Sequence, residues 1–326
     1  MTSIEDAPSA PAASPPAGSK TVVVTGAAGL VGQNLVPRLK AAGWRVVGID
    51  KHPTNTQRLR DLHPDSTVIE ADLAQAGQWA DAFAGADAVV LNQAQIGGLA
   101  REEFVANNVT ATERILEAME RHATPYFVHV SSSVVNSQAE DLYVETKTAQ
   151  ERIVAAQLRP HVILRPTLMF GWFDRKHLGW LRRFMDRSPV FPVPGNGRFR
   201  RQPLYAGDFA AIIAASLERR ITGTYDISGR REVDYIDIIR MIRSTVGARA
   251  QVVKIPYAAF WALLWLYARF DRNPPFTTNQ LEALVIPEVF PVIDWPAIFG
   301  VTATPFAAAV RETFNDPEYG RVVLEF

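Results

Sequence analysis

The sequence predicts an α/β protein built on a doubly wound parallel sheet, with a smaller, mostly helical lobe towards its C-terminal end. Short runs rich in Val and Ile recur through the first half of the chain without polar alternation, as strands buried on both faces do. Helical patterns separate these runs, and strands that alternate with helices favour a parallel sheet. A glycine-rich turn directly after the first run marks the start of a βαβ unit.

The elements follow in order along the chain. The predicted strands of the first half are Val22–Thr25, Arg45–Ile49, Thr67–Glu70, Ala88–Leu91, Tyr126–Val130 and His161–Leu164. The predicted helices between them are Val31–Ala42, Glu103–Arg121 and Leu142–Ala156. Further elements after Pro166 are a helix at Asp208–Glu218, a strand at Gly223–Ser228 and a helix at Tyr235–Val246. Because Asp208 follows a glycine at the start of an apolar helix, we expect it to be an N-cap.

Composition divides the chain into a tail and two larger parts. The first 19 residues are rich in Ala, Pro and Ser, which predicts a disordered tail. Residues 20–230 form the predicted Rossmann-type domain, with insertions that belong to the substrate lobe from residue 167. Residues 231–326 form the predicted C-terminal substrate lobe.

Charge and cysteine content exclude several classes of protein. The formal net charge is zero, so nothing favours nucleic acid as a partner. The chain has no cysteine and its histidines lack metal-ligand spacing, so we predict neither disulfides nor a metal site. No apolar run reaches the roughly 20 residues needed to span a bilayer, and the N-terminus lacks the pattern of a secretory signal. These features predict a cytoplasmic protein.

The first chemical motif is a set of three glycines in the turn between the first strand and the first helix. Gly26, Gly29 and Gly32 suit a tight turn, close approach of the backbone to a pyrophosphate, and close packing of the helix on the strand. The helix N-terminus offers unpaired N–H groups to the phosphates. Asp50 ends the next strand, 18 residues after Gly32, where a carboxylate accepts both ribose hydroxyls and repels a 2′-phosphate. The motif therefore predicts NAD as the cofactor.

A second group of residues predicts acid–base chemistry on an alcohol or a carbonyl. A run of three serines, residues 131–133, follows the fifth strand, at the edge where open α/β sheets bind ligands. Tyr143 and Lys147 lie four residues apart at the start of a predicted helix, so their side chains share one face. An ammonium beside a phenol is expected to lower the pKa of the tyrosine and to make it an acid–base catalyst.

Together these residues resemble the short-chain dehydrogenase/reductase superfamily, and more narrowly its extended NAD-dependent epimerase/dehydratase branch. The resemblance covers about residues 20–230 and rests on Thr25–Gly32, Ala71–Leu73, Asn108–Thr112, the serine run, the Tyr-x-x-x-Lys pair and Arg165-Pro166. It implies that Tyr143 is the acid/base and that Lys147 binds the nicotinamide ribose. It also implies that Ser133, in preference to Ser132, orients the substrate and that Asp72 meets the adenine.

The candidate site residues fall into three groups. The catalytic group is Ser133, Tyr143 and Lys147. The cofactor-binding group is Gly26, Gly29, Leu30, Val31, Gly32, Asp50, Asp72, Leu73, Asn92 and Lys147. The substrate-binding group is Ser132 and Arg201, whose guanidinium suits bidentate contact with a diphosphate.

Departures from the main pattern of that family bear on the substrate. Tyr143 follows Ser133 by ten residues, a shorter separation than sugar-nucleotide epimerases usually have. The serine run lacks the neighbouring acid that nucleotide-sugar dehydratases commonly carry. Arg201–Asp208 resembles the epimerase segment that grips a diphosphate. Its Gln202–Tyr205 portion, together with Pro275–Leu281, also resembles a branch related to an accessory subunit of respiratory complex I.

Three functions remain open on this basis. The first is hydride transfer at a secondary alcohol or ketone of a sugar nucleotide by an epimerase/dehydratase-type enzyme. The second is dehydrogenation or reduction of a hydrophobic alcohol that resembles a steroid or a lipid. The third is a non-catalytic NAD-binding assembly or sensor protein. Relatives often dimerise through the helices that correspond to Glu103–Arg121 and Leu142–Ala156, so a homodimer is also expected.

The stretch from Pro256 to Phe270 is unusually aromatic and is too short to span a bilayer. We interpret it first as the core of the C-terminal lobe. The competing interpretation is an apolar lid or an interfacial helix that receives a lipid-like substrate. In that case Trp261, Trp265 and Tyr267 line an apolar entrance.

Overall fold

A computed structural model describes residues 19–137, 141–270 and 277–325 of the chain. The predicted disordered tail lies almost wholly outside these residues, so it stays a prediction. Within them, no helix is both long enough and apolar enough to cross a membrane.

The strands confirm the predicted parallel sheet. The strands of the described residues are β1 (Thr21–Thr25), β2 (Arg45–Asp50), β3 (Thr67–Glu70), β4 (Ala88–Leu91), β5 (Phe127–Val130), β6 (His161–Pro166), β7 (Met169–Phe170), β8 (Val190–Pro194), β9 (Arg200–Arg201), β10 (Leu204–Tyr205), β11 (Gly223–Ile227), β12 (Val233–Asp234) and β13 (Gln251–Ile255). Seven of them form one sheet in the order β11-β6-β5-β4-β1-β2-β3, and every neighbouring pair in it is parallel. The strand order reverses beside β1, and ligands of open α/β sheets bind at the carboxyl ends of such strands.

The helices surround this sheet and build most of the lobe. They are α1 (Leu30–Ala41), α2 (Pro53–Leu62), α3 (Arg101–Phe104), α4 (Ala111–Arg121), α5 (Leu142–Ala155), α6 (Leu178–Arg187), α7 (Ala206–Arg219), α8 (Tyr235–Val246), α9 (Tyr257–Tyr267), α10 (Thr278–Val285), α11 (Trp295–Phe299) and α12 (Phe306–Asn315). Most predicted strands and helices begin and end within two residues of the observed first and last residues. The predicted helix over 103–121 is instead interrupted by a π-helical turn, Val105–Thr110, between α3 and α4.

Both faces of the sheet are covered, as continuous apolar strands require. In β1, Val22 and Val24 pack on the side of α1 and α7, whereas Val23 packs on the side of α4. The side chains of Trp295 and Phe299 in α11 are buried against the first of these layers. Residues well beyond position 230 therefore contribute to the core of the sheet, and the predicted domain boundary stays a prediction.

Asp208 does not cap α7, so that prediction was wrong. The helix begins at Ala206, and Asp208 lies buried within its first turn. Its carboxylate accepts hydrogen bonds from the backbone N–H of Thr304 at 3.1 Å and from the Thr304 hydroxyl at 2.6 Å. The Asp208 carboxylate therefore holds the segment before α12 against α7 and does not cap the N-terminus of α7.

The C-terminal lobe combines helices with short strands. Strands β8 and β13 pair in parallel, and helices α6, α8 and α12 pack around an apolar core that includes Met185, Phe191, Ile239 and Val310. The chain enters this lobe after the carboxyl ends of β6 and β11. The lobe consequently stands at the ligand-binding edge of the sheet.

Candidate active site

The glycine turn after β1 has the geometry that its spacing predicts. Gly26 has a φ of +62°, and a Cβ there would lie 2.8 Å from the carbonyl oxygen of Asn92. A Cβ on Gly32 would lie 2.4 Å from the carbonyl oxygen of Ala27. Both contacts are closer than real Cβ atoms tolerate, so neither position accepts a side chain without movement of the backbone. The turn is thus held tightly against β4 and α1.

The first turn of α1 provides the expected anion-binding groups. Gly29 is the N-cap, and its carbonyl accepts the N–H of Gln33 at 2.9 Å. The first N–H groups of a helix have no partner within the helix. Those of Leu30 and Val31 lie at the positive end of the helix dipole, where they suit a pyrophosphate.

The acidic and amide candidates cluster around the same turn. Asp50, at the end of β2, accepts hydrogen bonds from Ala28 N–H at 2.9 Å and His52 N–H at 3.0 Å. Asp72 follows β3 with an exposed carboxylate that accepts from the backbone of Ala74, while Leu73 is buried. The amide of Asn92 donates to the Gly26 carbonyl at 2.9 Å. These groups, with a side-chain-free turn and open helix N–H groups, fit the adenosine and pyrophosphate of NAD.

Replacement of the acid at the end of β2 should relax the choice of cofactor. In Asp50→Asn, we expect the ratio of kcat/KM for NAD over NADP to fall roughly 10- to 100-fold, since a hydrogen bond to a charged group is worth about 1.5–3 kcal/mol. Initial rates with both cofactors measure this ratio. Asp65→Asn, which removes an exposed carboxylate paired with Lys40, is the control and should leave it unchanged. An unaltered ratio in Asp50→Asn would remove Asp50 from the cofactor site.

The hydroxyl beside the candidate acid/base belongs to Ser132. Asp141 caps α5 by accepting the N–H of Val144 at 2.9 Å, which sets Tyr143 in the first turn of that helix. Tyr143 is half-buried, and burial raises its pKa, while a hydrogen bond with the Ser132 side chain opposes that rise. Ser133 is half-buried and begins a short 3₁₀ turn after β5. The sequence-based preference for Ser133 over Ser132 is therefore not supported by the geometry.

Lys147 is buried, and its side chain is held by groups other than Tyr143. Its ammonium donates to the carbonyl of Val130 at 3.0 Å and to the side-chain oxygen of Gln150 at 2.5 Å. Burial lowers the pKa of Lys147 to about 7, and the charge of Glu151 partly offsets this change. The expected lowering of the Tyr143 pKa does not appear, because burial of the phenol outweighs the favourable Ser132 contact.

A chain of buried polar side chains runs from Lys147 towards the glycine turn. The Gln150 amide donates to the Thr112 hydroxyl at 2.8 Å, and the Gln93 amide donates to the same hydroxyl at 3.0 Å. The Thr25 hydroxyl then donates to the side-chain oxygen of Gln93 at 2.6 Å. Sequence reasoning missed Gln93 and Gln150, whose positions after β4 and one helical turn beyond Lys147 were the available signal.

The π-helical turn is hydrogen-bonded both to the loop after β4 and to α5, the helix that carries Tyr143. Asn108 in this turn accepts the backbone N–H of Gln95 at 2.7 Å and donates to the Thr146 hydroxyl at 2.9 Å. Arg101 pairs with Glu145 on the exposed side of α5. Such turns within α-helices occur often at functional sites. The loop over residues 94–100 is thereby held next to the first turn of α5.

The guanidinium of Arg201 is engaged by other groups of the protein. It donates to the backbone carbonyls of Leu284 and Ile286, the latter at 2.7 Å, and it lies 3.8 Å from the carboxylate of Glu288. Its side chain is only 13% exposed. These contacts hold the segment after α10 in place and leave little of the guanidinium for a diphosphate.

Known proteins resemble this chain over most of its length. A 3β-hydroxysteroid dehydrogenase/Δ5→4-isomerase of Mycobacterium tuberculosis is 34% identical over 82% of this chain and 81% of its own. A ceramide reductase of Caulobacter vibrioides is 28% identical over 72% of this chain and 73% of its own. Among solved structures, the Bordetella bronchiseptica enzyme WbmG in complex with NAD and UDP has a TM-score of 0.70. It is 21% identical and covers 94% of this chain and 96% of its own, which supports the fold.

The family comparison settles the cofactor and the resemblance stated from the motifs. Residues 22–228 match the family described as NAD dependent epimerase/dehydratase. This span begins in β1, contains the glycine turn, Asp50, Ser132, Tyr143 and Lys147, and ends just after β11. The predicted NAD dependence and the predicted membership of the short-chain dehydrogenase/reductase superfamily are confirmed. The chain belongs to the NAD-dependent epimerase/dehydratase family.

Proposed function

We propose that this protein is an NAD-dependent dehydrogenase or reductase that acts on a secondary alcohol or ketone of a steroid- or lipid-like molecule. The observation that carries the chemistry is the hydrogen bond between the hydroxyls of Ser132 and Tyr143. Tyr143 lies on the helix that also bears the buried Lys147. A phenol that is hydrogen-bonded to a second hydroxyl is a suitable acid–base group for an alcohol. The substrate class rests on separate observations.

The proposed mechanism divides the work between three side chains. Ser132 hydrogen-bonds the substrate oxygen and holds it beside Tyr143. In oxidation, Tyr143 as phenolate takes the hydroxyl proton while the carbinol C–H bond breaks and the alcohol becomes a ketone; in reduction, the phenol returns the proton to the carbonyl oxygen. Bound NAD supplies the acceptor for the hydride. Lys147, held by the Val130 carbonyl and the Gln150 side chain, would bind the nicotinamide ribose, as the family resemblance implies.

The substrate-facing surfaces favour an apolar ligand. The loop fastened beside the first turn of α5 exposes Ile96 and Leu99, the latter by 98%. The Arg201 guanidinium, the candidate for a sugar-nucleotide diphosphate, is engaged by backbone carbonyls and by Glu288. The relatives that are 34% and 28% identical are described as acting on a hydroxysteroid and a ceramide. We therefore place the hydrophobic alcohol ahead of the sugar nucleotide.

Sugar-nucleotide epimerisation is the second candidate. It is favoured by solved structures of the same fold, such as a UDP-N-acetylglucosamine 4-epimerase of Methanobrevibacter ruminantium with a TM-score of 0.70. Its identity to this chain is 17%, a level at which the likeness concerns the fold. The homodimer and the cytoplasmic location stay predictions.

A direct assay separates the two candidates. We expect the purified protein to form NADH from NAD and a 3β-hydroxysteroid, because the hydride leaves with the cofactor when the ketone is released. With UDP-glucose we expect neither NADH nor a 4-epimer, measured by absorbance and by NMR respectively. Conversion of UDP-glucose to its epimer without turnover of the steroid would overturn the proposal in favour of the second candidate.

A further inference from the structure

Helix α9 exposes an apolar surface that no other described helix of this protein matches. The stretch Pro256 to Ala268 contains no charged residue. Within the helix, Phe260 is the one buried side chain of its eleven described residues. Leu263, Trp265 and Leu266 are 57%, 46% and 50% exposed, and Phe270 beyond the helix is 84% exposed. The interpretation of this stretch as lobe core is therefore wrong.

The helix is attached to the protein along a narrow stripe. Phe260 is buried and Leu264 is half-buried, and the indole N–H of Trp261 donates to Glu282 of the neighbouring helix α10 at 3.1 Å. At about 100° per residue, the exposed positions spread over more than half of the helix circumference. A helix on the surface of a water-soluble protein normally presents charged residues on that side. A single protein partner would cover only one side of such a helix, whereas an apolar medium such as lipid can surround the whole exposed arc.

The length of α9 can be compared with the thickness of a lipid bilayer. Eleven residues at about 1.5 Å each give roughly 16 Å, about half of the ~30 Å hydrocarbon thickness of a bilayer. The helix is thus too short to cross a membrane and long enough to enter one leaflet.

The charged residues next to α9 in the sequence are basic, whereas Glu282 of α10 lies on its covered side. Between residues 248 and 270 the chain carries Arg249, Lys254 and Arg269 and no Asp or Glu. The guanidinium of Arg269 lies 4.2 Å from the centre of the Trp265 ring. Trp and Tyr favour the membrane–water boundary, and cations near it are attracted to anionic headgroups. Leaflet insertion would leave Trp265, Tyr267 and Arg269 near that boundary.

We propose that α9 inserts into one leaflet of an anionic lipid bilayer and holds the protein on the membrane surface. The insertion itself is argued from the exposure and length of α9 and from the basic residues that flank it. Its use in catalysis rests on the proposed function: α10 packs on α9, and Arg201 of the substrate lobe binds the carbonyls of Leu284 and Ile286 at the end of α10. A lipid-like alcohol would then pass from the bilayer to the lobe without crossing water.

Vesicle flotation with the full-length protein tests the insertion. We expect the wild-type protein to float with vesicles of phosphatidylglycerol and phosphatidylcholine, and to float less with phosphatidylcholine alone. Leu263→Gln and Leu266→Gln should each weaken the partition at least tenfold, since each places a polar group in the exposed apolar arc. Leu158→Gln, at a fully exposed position in the loop after α5, is the matched control and should float like the wild type.

Retained NAD affinity shows that each variant is folded. Wild-type protein that stays out of the vesicle fraction, or variants that float equally well, would overturn the proposal. So would a vesicle-free dimer that Leu263→Gln splits into monomers, because α9 would then be a contact between two copies of the chain. Steroid turnover in detergent is measured independently, so failure of insertion and failure of the proposed function are distinguishable.

Discussion

Tyr143→Phe should lower kcat for alcohol oxidation roughly 10²- to 10⁴-fold, the range that a general acid–base group contributes. Phenylalanine keeps the ring and its packing but cannot take the hydroxyl proton. NAD affinity should stay within a few fold, because the cofactor groups lie on the glycine turn, Asp50 and Asn92. Steady-state kinetics with titration calorimetry for NAD measures both quantities. Since burial raises the pKa of Tyr143, oxidation by the wild-type protein should also quicken as the pH rises.

The two serines provide the control for this result. Ser132→Ala should lower kcat and alter the pH profile, because its hydroxyl opposes the rise in the Tyr143 pKa. Ser133→Ala should change kcat only slightly. If Tyr143→Phe retained wild-type turnover, the assignment of Tyr143 as the acid–base residue would fail.

Lys147→Met should lower kcat/KM by about 10²-fold or more, because it removes the amine that would bind and orient the nicotinamide ribose. Methionine fills a similar volume, so the fold should survive. Gln150→Leu is the matched variant: it keeps the ammonium but removes its side-chain acceptor, and we expect a smaller loss with a shifted pH profile. Equal kinetics in wild type and Lys147→Met would exclude a role for the ammonium.

The same variant should change how stability depends on pH. Burial lowers the pKa of Lys147 from 10.5 to about 7 in the folded protein. Between these values the unfolded chain holds the proton and the folded chain does not, so this group makes the free energy of unfolding rise with pH across that window. Below pH 7 the cost of burying the charge is fully present. Denaturant titrations at several pH values should therefore show a shallower rise in Lys147→Met than in the wild type.

Much of the fold and of the cofactor site could be predicted from the sequence, because both depend on local patterns. The strands β3 and β4 begin and end at the predicted residues. Gly26, Gly32 and Asp50 act through backbone geometry and strand ends, which spacing alone defines. Helix α2 was missed because Thr, Asn, Gln and Arg dominate it and leave no apolar stripe.

The features of the site and of α9 that the sequence did not predict depend on tertiary contacts. Ser132 rather than Ser133 meets Tyr143 because of how the chain turns after β5. Gln150 contacts Lys147 within α5, but it reaches Thr112 only once α5 and α4 are packed together. The hydrogen bonds from Arg201 to the carbonyls of Leu284 and Ile286 join residues more than 80 positions apart. The exposure of α9 is likewise invisible in a composition that resembles a core.

Transfer of deuterium from substrate to cofactor is the most direct test of the proposed active site. The substrate is a 3β-hydroxysteroid labelled on its carbinol carbon, and mass spectrometry of the recovered NADH is the readout. We expect labelled NADH from the wild-type protein and from Ser133→Ala, and almost none from Tyr143→Phe. Absence of labelled NADH from the wild type, or equal labelling by Tyr143→Phe, would contradict a hydride-transfer centre built from Ser132, Tyr143 and Lys147.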